Sequence, residues 1–596
     1  MRRAGLVPLV AATVLATAVI SCARVPDNGP AVPVAAPEVT QSGEPGSNGV
    51  NSGLPRPAAD PSSSVSAYIN ALTVTRNPGP LGDNFLPTPA LRNTFRQNPS
   101  VAVVRGDIRA IAETPSVADV TTIARFSAEL IGTVNSDGVF LEAEDPKWEV
   151  QVRMSRARGL WQFAEPPPLI VQDRQFAASF SPATVYFAAK PSVVTGATPR
   201  LVIPERRYLN EYSGDRATQI VDLLLAGPSL ALESVAQNPL PKIKRTSRVA
   251  IENDDLVIEL EAQAESVTKD QLNAFVAAVG WSLNDLFSGA VRLIVGGRPV
   301  DVNDFSASQD QNTWKRYNPA VVQRALPTFH VQNGAVKVLD PAGGFNPRPL
   351  RLSEQVRAKN VRSAAISVDL SRLAVVRTDA NGTQRLWIAD ASGTLQPTLR
   401  ARDIGRPSWG GNRSTVVVPV GGRLFEVGVG NARTPSEIQV IGPGGRRLTN
   451  VTAIRLSLDG VRAVLVNGSG PAAQVYVGTL SGTTGGALVL EARRLAVEGT
   501  VKDVSWYGPA QVVVAVTRPG NNGDEVYLVI APIDGSPAHP QSTRLKATSQ
   551  VRLTADATET LDAIPLELNG RLYDARADST STPALLSAGT APFYPG

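Results

Sequence analysis

One cysteine, two histidines and two methionines are the whole stock of soft or redox-active side chains in 596 residues. A lone thiol closes no intramolecular disulfide, and so few ligands leave little material for metal or redox chemistry. Charge of one sign is also scarce. The formal net charge is only +5, without the long Lys/Arg runs of a nucleic-acid binder, so no nucleic-acid partner is expected. What is plentiful is Gly, at 49, and Pro, at 47, which predicts many turns. With 43% hydrophobic and 19% charged residues the composition is that of a globular protein, too long for one core. Three or more domains are expected.

The single cysteine, Cys22, follows a positive start (Arg2, Arg3) and an apolar run from Ala4 to Ile20. That run is about 17 residues long, short of the roughly 20 that cross a bilayer, and its parts are those of a secretory signal. Val19-Ile20-Ser21-Cys22 resembles the lipobox of bacterial lipoproteins. The resemblance implies that residues 1–21 are a signal peptide. It also implies that the Cys22 sulfur carries diacylglycerol and its new amine an acyl group such as palmitate. A cysteine in a leader that is merely cleaved is the alternative. Two chains suffice for stable anchoring, so the lipidated form predicts a membrane-anchored protein outside the cytoplasm. Residues 22–61 lack aromatics and periodicity, and read as a disordered tether.

Residues 62–200 read as an α+β domain. Ser62-Ser63-Ser64 is placed to cap a helix bearing Val65, Tyr68, Ile69 and Leu72. Strand-like runs follow at 119–134, 138–143, 147–154 and 159–167, with a turn at Asn135-Ser136-Asp137-Gly138. The order is similar to the nuclear-transport-factor-2 (NTF2-like) fold, with Trp161 and Phe163 in its core. Residues 201–302 carry a helix at 217–229 stopped by Gly227-Pro228 and a hairpin around Asn253-Asp254-Asp255. A second helix opens with Thr268 and Gln271 in capping-box spacing, bears the stripe Leu272, Phe275, Val276, Val279, Leu283 and Leu286, and leads to a strand at 290–300. This series resembles the small α/β GerMN domain, which implies assembly rather than catalysis.

Residues 319–596 repeat. Ser367, Ser408, Ser457 and Ser505 stand at equivalent places, roughly 41 to 49 residues apart, each followed by a Val/Ala-rich strand, a period that suits four-stranded propeller blades. Residues 550–575 form a weaker copy and 329–340 an additional hairpin, giving an all-β propeller of five or six blades; a β-sandwich array is the competitor.

Chemistry is hard to find. Ser266-Val267-Thr268-Lys269 matches S-x-x-K, but no K-T-G or S-D-N accompanies it, and the same residues begin a helix. Ser536 and His539 share a proline-rich loop without a nucleophile elbow. His330 falls in a strand, where a hydrogen-bonded core imidazole is expected. Asp254-Asp255 is one candidate carboxylate pair; Asp379 with Asn381 is more simply a hairpin turn. No P-loop or dinucleotide fingerprint is present, and no catalytic, cofactor or metal residue is assigned.

Lipobox, spacer, α+β domain, GerMN-like domain and propeller, in that order, resemble the actinobacterial LpqB lipoprotein family along the whole chain. The resemblance implies a non-enzymatic accessory protein. It would bind the extracytoplasmic part of a sensor histidine kinase, MtrB of the MtrA–MtrB two-component system, and so affect envelope homeostasis and division. The alternatives are an envelope glycan-binding protein or hydrolase using the propeller funnel, and a structural part of an envelope assembly. Carboxylates and aromatics clustered at the propeller axis would favour the funnel reading, and small apolar side chains the accessory one.

Overall fold

The computed structural model describes residues 53–596 apart from 76, 98–99, 192–200, 210–214, 253–254, 288, 301–316, 318–325, 340–359, 390–393, 412–413, 430–433, 483–486, 559–563 and 576–582. The signal peptide, the lipobox (Val19, Ile20, Ser21) and Cys22 lie outside the described residues, as does most of the expected tether.

The first module starts with three helices, α1 (Pro61–Val74), α2 (Pro78–Phe85) and α3 (Pro89–Gln97). The cap of α1 is Asp60, whose carboxylate accepts from Ser63 N at 2.7 Å, with Pro61 at the first helical position. Serines 62–64 therefore sit inside the helix, because an aspartate before a proline makes the better start. Val65, Tyr68, Ala71 and Leu72 face a curved sheet. Its strand order is 160–163, 147–157, 121–134, 101–112, 169–172, antiparallel except for the last pair. Tyr68 meets Phe85, Phe126 and Phe163 edge-on at 5.3, 6.2 and 5.1 Å, and its buried hydroxyl donates to Pro168 O at 2.9 Å. Trp161 and Phe163 are core residues here. Helix α4 (Asp173–Ser179) ends the module.

Strand 181–189 does not belong with that sheet. It pairs with 202–209 and 236–237 and packs on the second module, so the division comes before 181 rather than at 200. Helix α5 (Arg216–Ala226) is capped by Asp215 and ends at Gly227, whose φ of +100° is one a side chain would resist. Helix α6 (Lys269–Ser282) carries the full Thr268/Gln271 capping box. Its wide apolar face lies between the three-stranded sheet and a second sheet of order 250–252, 255–260, 291–295, 298–300. Strands 255–260 and 291–295 are parallel, joined through α6. The expected strand over 290–300 is a hairpin turned at Gly296-Gly297. Leu286 lies beyond the helix and is exposed, so the apolar stripe ends at Leu283.

The remaining described strands form six blades. Blade I combines strands 590–593, 328–332 and 335–339. Blades II to VI start with strands 361–366, 408–409, 451–456, 500–506 and 551–553, and each has four strands in chain order. Their first strands neighbour one another in a ring that closes from blade VI through 590–593 to blade II. Blades III and IV are also joined at their outer edge, where 436–441 runs parallel to 488–495. Separate apolar layers of Val, Ala, Leu and Ile fill the spaces between successive blades, which is why these strands are apolar on both faces.

The aligned hydroxyls hold the ring together. Ser408 Oγ accepts from Leu456 N at 2.9 Å, Ser505 Oγ from Ala555 N at 3.2 Å, and Thr554 Oγ1 from Tyr594 N at 3.2 Å, each reaching the next blade. Ser367 and Ser457 instead brace their own turns through Asp369 and Asp459. Two indoles add cross-blade bonds, Trp409 to Ala365 O and Trp506 to Arg455 O, both at 3.0 Å.

Buried polar contacts join the three modules. Arg207 donates to Asp137 O at 2.9 Å and Tyr208 N to Gly138 O at 2.8 Å, linking the second module to the first. Gly138 has a φ of +68°, and a Cβ there would stand 2.5 Å from Tyr208 O. Arg462 of blade IV pairs with Asp459, lies 5.2 Å over Trp506, and donates to Pro204 O at 2.9 Å across the junction. The Tyr208 hydroxyl bonds Ser536 Oγ of blade V.

Candidate functional site

The first strands of the blades neighbour one another around the propeller axis, and residues in them or just ahead of them line it. Two positions ahead of Ser408, Ser457, Ser505 and Thr554 stand Arg406, Arg455, Asp503 and Arg552. All four line an axial funnel of about 380 Å³. Arg362 of blade II and Lys502 of blade V, both exposed, add two more cations to its lining. Five successive blades, II to VI, thus each contribute one basic side chain. The carboxylates in the lining are Asp403 and Asp503.

Depth sorts these groups. Arg455 is 8% exposed; one guanidinium nitrogen lies 3.4 Å from Asp503 Oδ1, another donates to Ile454 O at 2.6 Å, and its Nε has no hydrogen-bond partner. Among the described residues Arg406 reaches Leu553 O at 3.3 Å and Thr554 Oγ1 at 3.5 Å. Burial, and then the neighbouring Arg455, depress its pKa well below the ordinary arginine value, with Asp503 and Glu567 opposing. Arg552 lies 3.8 Å from Glu567, a fully buried carboxylate of blade VI whose pKa burial pushes up. Glu567 Oε2 accepts from Ala591 N at 2.6 Å. Asp503 is occupied too: it accepts from Val504 N at 2.9 Å and Leu553 N at 3.1 Å as well as facing Arg455.

The funnel matches neither discriminating expectation. Among the described residues its lining has no aromatic and no histidine, and it is not lined mainly by small apolar groups. It is a basic cup. The sequence carries a signal for it in the repeated R-x-S/T of Arg406-Pro407-Ser408, Arg455-Leu456-Ser457 and Arg552-Leu553-Thr554, a spacing that matches no catalytic motif.

The other candidates are structural. Ser266 donates to Gln263 O at 2.8 Å in a short turn leading into α6, and Lys269 is exposed. Ser536 is buried against Tyr208 while His539 is exposed. Asp379 closes a hairpin turn and pairs with Arg385 at 2.9 Å; Asp254 lies outside the described residues. Among the described residues no group of three or more His, Cys, Asp or Glu is placed to hold a metal ion. No helix among them is long and apolar enough to cross a membrane.

His330 departs from its expectation. It is 3% exposed, but neither ring nitrogen has a partner, and Gly589 packs so closely that a Cβ there would meet its Cδ2 at 2.4 Å. Burial, with a smaller push from Lys337, lowers its pKa from the ordinary 6.5. A base with a depressed folded pKa contributes stability above its unfolded pKa and loses it as the pH falls through the folded one. Below about pH 6.5 the wild type is therefore expected to lose thermal stability relative to His330→Leu, with the gap widening toward pH 5. Parallel melting curves from pH 7 to 5 would contradict this.

Comparison with known proteins gives three family models in series. Residues 54–177 match the lipoprotein LpqB N-terminal domain, 184–301 the sporulation and spore germination (germane) domain, and 350–563 the lipoprotein LpqB beta-propeller domain. Among curated relatives, a lipoprotein LpqB of Rhodococcus opacus is 25% identical over 94% of this chain and 92% of its own. One from Corynebacterium jeikeium is 26% identical over 73% of this chain and 72% of its own. Among solved structures, TolB from Acinetobacter baumannii aligns with a TM-score of 0.32 at 14% identity, over 45% of this chain and 66% of that one.

Proposed function

Because the chain belongs to the LpqB lipoprotein family, with that family's N-terminal, germane and propeller domains in order, we propose that it is a lipid-anchored, extracytoplasmic accessory protein that binds and modulates a sensor histidine kinase, the MtrB component of an MtrA–MtrB system. Its anchor in this reading is Cys22, carrying S-diacylglycerol and an N-acyl group after cleavage behind Val19-Ile20-Ser21. The domain series 62–180, 181–302 and 319–596 then stands outside the membrane on the tether 22–61. The observation that carries the reading is the near-complete span of the match, 92% of a curated lipoprotein's own length.

The reading is non-enzymatic. Asp503 at the funnel floor is engaged by Arg455 and two backbone N–H groups, and the serines of the lining have no histidine beside them. A protein of this kind acts by binding one conformation of the kinase better than another. The test is affinity capture of the tagged, lipidated chain from detergent-solubilised membranes, in parallel with Cys22→Ala. The kinase is expected with the lipidated chain and strongly reduced with Cys22→Ala; its absence from both overturns the partner, and an unmodified Cys22 in mass spectrometry overturns the anchor.

A further inference from the structure

We propose that the axial funnel of the propeller is a binding site for a phosphate-bearing anion, held by Arg406, Arg455 and Arg552. The inference does not depend on the kinase reading, since it follows from the charges at the axis alone.

Three guanidiniums from blades III, IV and VI occupy equivalent places in the repeat and converge on one cavity. Uncompensated like charges brought out of water are unfavourable, and a folded chain retains them where a counter-charge is supplied. Protein carboxylates supply only part of it. Asp503 faces Arg455 at 3.4 Å, Glu567 stands 3.8 Å from Arg552, and Arg406 has no ion pair among the described contacts. The Nε of Arg455, buried and without a partner, is a donor waiting for an acceptor. Arg362 and Lys502, both exposed, extend the positive field outward.

The donor set selects the anion. Guanidiniums arriving from separate blades around an axis point at a centre from several directions, and a tetrahedral oxyanion accepts from several directions at once. A planar carboxylate pairs best with one guanidinium in its own plane. Among the described residues the lining has no aromatic ring on which a sugar or base would stack. A volume of about 380 Å³ exceeds one phosphate, and Ser363, Ser549 and Gln550 in its lining carry hydroxyl and amide groups for the rest of the molecule. The fitting class is a pyrophosphate or a phosphomonoester with a small polar body, free in solution or as a lipid headgroup.

The test is calorimetric titration of the unlipidated full chain (Cys22→Ala) with inorganic pyrophosphate, and with citrate as a carboxylate of similar size and charge. Pyrophosphate is expected to bind at least about tenfold more tightly than citrate, more weakly as salt rises, and to raise the melting temperature. Arg552→Gln, half-exposed and so the safer variant to fold, and Arg406→Gln are each expected to weaken binding about tenfold or more. Arg125→Gln, on an exposed strand of the first module, leaves it unchanged. Co-sedimentation with phosphatidic acid vesicles, lost in Arg406→Gln, identifies a lipid headgroup as the source; binding of pyrophosphate without vesicle association identifies a soluble one. The proposal is overturned if citrate or a poly-glutamate peptide binds as well as pyrophosphate. It is equally overturned if the folded Arg552→Gln and Arg406→Gln variants bind like the parent, or if pyrophosphate binding is undetectable.

Discussion

Replacing Arg207 with methionine is expected to cost about 3–5 kcal/mol of folding stability. Arg207 is 1% exposed. Its Nε and one terminal nitrogen donate to Glu205 Oε2 at 2.9 and 2.6 Å, and the guanidinium also serves Asp137 O at 2.9 Å and Gly227 O at 3.0 Å. It lies 5.3 Å from the ring centre of Phe187. One side chain therefore satisfies the turn of the first module, the C-terminal cap of α5 and a buried carboxylate. Methionine keeps much of the volume, so the loss is electrostatic: Glu205 is left as a buried charge with Ser229 as its remaining side-chain partner, and two carbonyls lose their donor. The measurement is urea unfolding at neutral pH followed by tryptophan fluorescence. The double variant Arg207→Met/Glu205→Gln should recover a large part of the loss, because removing both charges of a buried pair is far cheaper than removing one. A single variant within about 1 kcal/mol of the parent, or a double variant worse than the single, would contradict this account.

The features legible in the sequence were those written locally or periodically. Thr268 and Gln271 announce α6 because a capping box is complete within four residues. Gly227-Pro228 marks the end of α5 for the same reason. The aligned serines reveal the blades because a repeat multiplies a weak signal, and the hairpin read as able to complete a sixth blade pairs, over 328–339, with the closing strand 590–593. The features that escaped are non-local. Strand 181–189 was placed with the first module because nothing in it names its pairing partner, which lies across residues 192–200. The buried pairs Glu205–Arg207 and Asp459–Arg462 look like solvated charge until the junctions enclose them. The basic funnel was within reach, since Arg406 and Arg455 stand two residues before the aligned Ser408 and Ser457. A ring of like charge only has meaning once the strands are known to share an axis.

Phe593→Ala is expected to cost about 3–5 kcal/mol, and to open the propeller rather than merely leave a hole. Phe593 is 1% exposed and stacks on Phe329 with ring centres 5.4 Å apart and planes 18° apart. Its strand, 590–593, is the inner strand of blade I and pairs with 328–332, the chain's return to the beginning of the propeller. Around it, Glu567 of blade VI accepts from Ala591 N, Thr554 accepts from Tyr594 N at 3.2 Å, and Gly596 N donates to Ile366 O of blade II at 2.9 Å. Seven residues thus stitch blades VI, I and II. A propeller whose last strand detaches exposes the flanks of two blades at once, so the lost stability should be shared by neighbours that Phe593 does not touch. Hydrogen exchange should accelerate along 361–366 and 551–553 as well as 590–593, while helix α1 keeps its protection. Phe163→Ala, removing an equally buried ring from the first module, is the control: a comparable loss of stability, with faster exchange in the first module and none in blades II and VI. If Phe593→Ala leaves exchange in those two blades unchanged, the closing strand is a local ornament and the ring is held by the interblade layers alone.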